Sequence, residues 1–392
     1  MFHKMPFILI SIIVAILVLN PFIPMEMKQA LYATSLTIKS IIILLLPFVI
    51  FGLLFKTAVG LAQRATAIIG LIIILVCCSN ATSAFLSHFV GEWVYRFDLS
   101  LIQPKDTEGL TPAWSLTFPK LIANNVAMGL GIVFGILLAR IRPTMAEQIA
   151  NRLDWVVAKI LKSFTYLIPI FVAGFVVKLQ SDGVMDTIVK DYAAIFIWVA
   201  ISLYGYIILA YFALNHFNLR HTLSRIKNML PAAISGFSTM SSAAVMPLTI
   251  SGVERNAKNK DLARSVVPAT VNIHLIGDCF AIPIFAYAVM KSYGVPEPAL
   301  LEYLVFVFYF VIAKFSVAAI PGGGIIVMLP ILESCLGFNA EMLSLTTALY
   351  ILFDPVITCA NVLGNGAFAS LIDKLASFKE RKVALSQAEN PI

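Results

Sequence analysis

The chain has 392 residues, 60% of them hydrophobic and 12% charged, with a mean hydropathy of +0.91. That exceeds what a water-soluble core can hide and points to a polytopic membrane protein. The net charge of +7 is not a nucleic-acid signal, because the basic residues lie between apolar spans, where the positive-inside bias puts them. The five cysteines (Cys77, Cys78, Cys279, Cys335, Cys359) all fall in apolar stretches without metal-ligand spacing and read as small core residues.

Apolar segments lie near 5–24, 36–60, 67–91, 119–139, 153–178 and 192–215, then near 229–252, 265–290, 303–338 and 342–372. The last four are interrupted by Gly, Pro or polar residues. The first segment has the charged start and apolar run of a signal peptide. It lacks a small-residue cleavage site, so it is read as a first span. Ten simple crossings contradict the charges. Segment 229–252 is flanked by Arg220, Arg225 and Lys227 on one side and by Arg255, Lys258, Lys260 and Arg264 on the other. Both flanks are therefore expected on the cytoplasmic face. Segment 303–338 has acidic flanks, Glu297 and Glu302 before, Glu333 and Glu341 after. Each segment is expected to enter and return on one side. Eight spans plus two re-entrant hairpins then remain, with both termini cytoplasmic and the acidic loops (Asp98, Asp106, Glu108; Asp182, Asp186, Asp191) outside. One hairpin from each face, each followed by a broken polar helix, is the pattern of an inverted repeat with its site at the midplane.

The polar residues inside these apolar segments mark that site. Asp354, Thr358, Asn361 and Asn365 follow i, i+4, i+7, i+11 and share one helical face. An ionised Asp at the bilayer centre costs roughly 2.5–3.5 kcal/mol even on the gentlest scale, so its presence argues function. Pro355 predicts a kink just after it. Ser238, Thr239, Ser241 and Ser242 sit at the turn of the first hairpin, where hydroxyls and free N–H groups suit a carboxylate and also cap half-helices. Pro321, Gly322, Gly323 and Gly324 offer bare backbone and hinges at the second turn. Asn272, His274, Gly277 and Asp278 break the segment 265–290 between Pro268 and Pro283.

These motifs resemble the dicarboxylate/amino acid:cation symporter family, the glutamate-transporter fold. The stretches TSAF (Thr82 to Phe85), STMSSAAVMPLTI, IPGGGIIVMLPIL and DPVITCANVLGNG carry the likeness, which covers nearly the whole chain. The resemblance implies that Asp354 takes a substrate amino group and that Thr358 and Asn361 contact substrate. Ser241 and Ser242 would bind its carboxylate, with Pro321, Gly322 and Gly323 in a lid. It further implies cation-site oxygens from Asn272, Asn361, Thr82 and Ser83, with His274, Asp278 and Asn365 near them. Three departures matter. Ile357 stands where acidic-substrate members carry Arg, Asn365 replaces an Asp, and the break at 272–278 does not place the family's cation-binding Asp.

The reading is a cation-coupled symporter, not an enzyme, for a small and preferably neutral amino acid. No cofactor is expected, with Na⁺ as coupling ion and H⁺ as the alternative. A C4-dicarboxylate or acidic amino acid is the other substrate reading, and Lys314 is the residue that could serve a second carboxylate. An intramembrane aspartyl protease using Asp278 and Asp354, and an anion channel, are more distant. The resemblance also implies a homotrimer in a bacterial inner membrane. Its scaffold would comprise 1–66, 119–152 and 179–228, its transport domain 67–118, 153–178 and 229–376, and its cytoplasmic tail 377–392.

Overall fold

The computed structural model describes residues 5–63, 67–97, 99, 110–119, 121–183, 185–315, 317 and 322–389. They form α-helices, with a longer non-helical stretch between Tyr95 and Asn124, one 3₁₀ turn at Asn20–Phe22 and no strand among the described residues. The first six apolar segments become α1 (Met5–Leu19), α2 (Met25–Gln63), α3 (Ala67–Tyr95), α4 (Asn124–Ile141), α5 (Pro143–Ser181) and α6 (Met185–Leu214). The four interrupted segments become seven helices. These are α7 (Leu219–Thr239), α8 (Met246–Asn256), α9 (Lys260–Thr270), α10 (Ile276–Ser292), α11 (Leu300–Lys314), α12 (Gly323–Leu336) and α13 (Ala340–Glu389). Stretches 70–95, 190–214 and 341–377 are long and apolar enough to cross a membrane.

Both expected hairpins are helix pairs packed on themselves, α7 on α8 and α11 on α12. The outer ends of the first pair are tied together: Asn228 Nδ2 donates to Asn256 Oδ1 at 2.8 Å, and Asn256 Nδ2 donates to the Arg225 carbonyl at 3.0 Å. Met240 ends α7 in the left-handed region, at φ 50°, and its N–H donates to the Gly236 carbonyl. A non-glycine residue there stores about 1–2 kcal/mol of strain, and this one sits at the tip.

Pro355, where a kink was expected, lies inside α13, which continues through it and on to Glu389. A proline costs a helix one N–H bond and crowds the preceding turn. The N–H that Pro355 lacks would have served the Ile351 carbonyl one turn back; Tyr204 of α6 donates its hydroxyl to a different group on this stretch, the Val356 carbonyl, at 3.1 Å. Tyr211, two turns on, does the same for Leu363 at 3.0 Å.

Packing sorts the helices into two groups. α2 lies against α4 and α5, while α10 lies against α3, α6 and α13. Gly131 and Gly135 let α4 approach the α2 backbone, where an added Cβ would stand 2.9 Å from the Phe51 carbonyl oxygen. Small residues four apart serve this purpose where lipid and core are equally apolar. α5 therefore groups with α2 and α4, and α6 with α10 and α13. At the centre is α10, buried on every side from Ile276 to Met290, as a helix apolar all round must be.

Candidate functional site

Three interruptions of helix meet at one place. The chain breaks between α9 and α10 at residues 271–275, and residues next to both hairpin turns, Met240 and Ser242 on one and Val317 and Gly324 on the other, reach the same point. Between them lies a cavity of about 20 Å³, room for roughly one water, lined by Met240, Ser242, Leu275, Asp278, Val317, Gly324, Tyr350, Asp354, Thr358 and Asn361. Backbone that leaves helical geometry inside a membrane is tolerated only beside protein or a polar cavity. All three interruptions satisfy that condition together.

Asp354 is buried in this wall. Its Oδ2 accepts the Gly322 N–H at 2.9 Å and its Oδ1 accepts the Thr358 hydroxyl at 3.1 Å. Gly322 has φ +72° and caps α12, a conformation that glycine adopts without steric cost, so residue type fixes where that N–H points. These donors orient the carboxylate without neutralising it. Asp278, also buried, accepts the Tyr350 hydroxyl on Oδ1 at 2.8 Å and the Lys314 ammonium on Oδ2 at 3.2 Å. Gly324 presses against this cluster: an added Cβ would lie 2.8 Å from Asp278 Oδ2 and closer still to the Tyr350 hydroxyl.

The break itself is held by amides. Asn361 Oδ1 accepts the Gly277 N–H at 2.8 Å. Asn365 Nδ2 donates to the carbonyls of Asn361 at 2.9 Å and His274 at 3.3 Å, while its Oδ1 accepts the Thr270 hydroxyl at 3.0 Å. From α3, Asn80 Nδ2 donates to the Ile273 carbonyl at 2.7 Å, and its Oδ1 accepts the Leu275 N–H at 3.3 Å. Thus Asn80 replaces hydrogen bonds that the lost helical turn would have made. His274 Nε2 lies 2.9 Å from Ser79 Oγ, and its buried Nδ1 has no hydrogen-bond partner among the described residues.

The expected residues divide. Ser242, Asp354, Thr358, Asn361 and Asp278 line the cavity, Gly322 and Asn365 each bond to a lining residue, Asp354 and Asn361, and Gly323 is buried at the start of α12. Ser241 Oγ accepts the Ala244 N–H at 3.3 Å, so it caps the tip. Ser238 is exposed and bonds back to the Ile234 carbonyl. Thr82 and Asn272 are exposed and Ser83 Oγ donates to the Ser79 carbonyl at 2.8 Å; none of the three lines the cavity, so the expected cation-site set does not converge there. Ile357 is fully buried beside Gly277 and is not among the lining residues. Pro321 lies outside the described residues. Sequence reasoning missed Asn80 and Tyr350, which carry no periodicity that separates them from core polar groups.

An all-helical membrane protein that closes two hairpin tips over buried carboxylates at a helix break has the architecture of a solute transporter. The chain belongs to the sodium:dicarboxylate symporter family, whose profile matches residues 5–375. It is 28% identical over 188 residues to excitatory amino acid transporter 4 of Mus musculus, covering 47% of this chain and 32% of that protein. It is also 24% identical over 265 residues to excitatory amino acid transporter 1 of Ambystoma tigrinum, covering 64% and 47%. The proton/glutamate-aspartate symporter of Escherichia coli (strain K12) is 27% identical over 153 residues, covering 39% and 35%. The matches span from a third to a half of these relatives' lengths.

Proposed function

We propose that the chain is a multi-pass symporter that imports an acidic amino acid, driven by Na⁺ or H⁺. The observation that carries this is Asp354: a buried carboxylate on the cavity wall whose observed partners, Gly322 N–H and Thr358 hydroxyl, are neutral. A substrate ammonium would supply the missing countercharge, and a buried charge without one is costly. Substrate carboxylates would take N–H and hydroxyl groups at the hairpin tips, with Ser242 on one side and the first turn of α12 at Gly324 on the other. The neutral amino acid expected from the sequence is set aside for the acidic one on the strength of the relatives' names. The Escherichia coli relative is named for glutamate and aspartate, which supports the acidic reading. The family's name supports a C4-dicarboxylate as the second reading.

The same proposal includes eight crossings with two re-entrant hairpins in inverted repeat, both termini cytoplasmic, a bacterial inner membrane and a homotrimer. Its scaffold would be α2, α4 and α5, with α3 and α6 to α13 moving as the transport body. Uptake of labelled aspartate, succinate and alanine into proteoliposomes under Na⁺ or H⁺ gradients tests it. Aspartate accumulation, blocked by unlabelled glutamate and untouched by alanine, is the expected result. Accumulation of alanine alone would refute the acidic reading.

A further inference from the structure

Two carboxylates, Asp278 and Asp354, line one cavity of about 20 Å³, yet among the described residues only one of them has a fixed cation. Lys314 is the last residue of α11, the first arm of the second hairpin. Its side chain is 0% exposed and that of Asp278 2%. The ammonium sits 3.2 Å from Asp278 Oδ2 and 4.6 Å above the Phe310 ring. A lysine normally extends its stem to carry the charge to water; this one is held inside, against a carboxylate that itself faces the cavity. Burying such a pair is expensive, and removing one partner leaves an uncompensated charge. A purely structural contact between α10 and α11 would be made more cheaply by apolar side chains.

We propose that Lys314 is a resident cation of the transport site and takes the place of one coupling ion. With Asp278 and Asp354 ionised, the site carries two negative charges, and Lys314 permanently balances one. A mobile cation or the substrate's ammonium then has only Asp354 left to balance. This rests on the symporter reading and adds to it a statement about coupling: the protein moves one cation fewer per substrate than a site with the same two carboxylates and no lysine.

The test compares the wild type with Lys314→Met and with the double variant Asp278→Asn/Lys314→Met, reconstituted into liposomes. The membrane potential at which aspartate flux vanishes, measured against known Na⁺ and H⁺ gradients, yields the charge moved per substrate. Lys314→Met should move one more positive charge per substrate, and the double variant should return to the wild-type value. A thermal-shift titration with Na⁺ in detergent should stabilise Lys314→Met at concentrations at least about tenfold below those that affect the wild type, since a ligand for the folded state raises its stability by mass action. An unchanged charge ratio in Lys314→Met, or a double variant that folds but is no better than the single one, overturns the proposal. So does the failure of both variants to fold, because a charge-balancing pair must tolerate joint neutralisation. A wild type that shows no cation-driven uptake would instead overturn the symporter reading, while the Na⁺ titration still reads the pair.

Discussion

At the scale of single residues the site is organised by two acids with different partners. Asp354 is fixed by neutral donors, so Asp354→Asn keeps its shape and removes its charge. Losing one member of a buried ion pair costs roughly 3–5 kcal/mol. Uptake of an amino acid should therefore fall by at least about a hundredfold at fixed substrate, and retention of near wild-type uptake would dismiss Asp354 as the ammonium partner. Gly324 supplies a steric test. A methyl there meets both Asp278 and Tyr350, and overpacking a rigid wall costs about 1–3 kcal/mol. Gly324→Ala should lower the melting temperature and weaken substrate-induced stabilisation in the same thermal-shift assay; an unchanged response to substrate would show that the α12 start does not shape the pocket.

At the scale of elements, the break between α9 and α10 depends on a side chain 193 residues distant in sequence. Asn80 satisfies a carbonyl and an N–H that no helix serves, and an unsatisfied buried backbone group costs about 1–3 kcal/mol. Asn80→Ala should destabilise the folded protein measurably in detergent, and so should Asn80→Asp, which keeps the acceptor for the Leu275 N–H but sets a buried carboxylate oxygen against the Ile273 carbonyl. Equal melting temperatures for wild type and Asn80→Ala would count against α3 as the support of the break. The breaks and tips were legible beforehand from Gly, Pro and clustered polar residues. The contacts that hold α13 around Pro355 were not, because they come from another helix: the Tyr204 hydroxyl on the Val356 carbonyl lies 152 residues away in sequence.

At the scale of the whole molecule, the first hairpin brings its two outer ends within hydrogen-bonding distance through Asn228 and Asn256. The basic residues on both sides of it then belong on one face of the membrane. Tags placed near Arg225 and near Lys258 should both be reached by a cytoplasmic modifying reagent and be protected from an external one. Opposite labelling of the two would remove the hairpin and with it the enclosed site.

What the sequence determined by itself is local: the membrane class from composition, the hairpin positions from charged flanks, and one polar face from the spacing of Asp354, Thr358, Asn361 and Asn365. Helical period alone puts those four side by side, whatever surrounds them. The tertiary structure decided which faces meet. It paired Asp278 with Lys314, set Asn80 against the break, turned Thr82 and Asn272 outward and placed Ile357 beside Gly277 rather than at the cavity. The reason is physical. In a soluble helix an apolar stripe reveals its rotation, but α10 is apolar on all sides and buried on all of them. Lipid and protein interior reward the same side chains, so the rotation of each helix, and hence the partner of each polar group, is settled only by close packing against its neighbours.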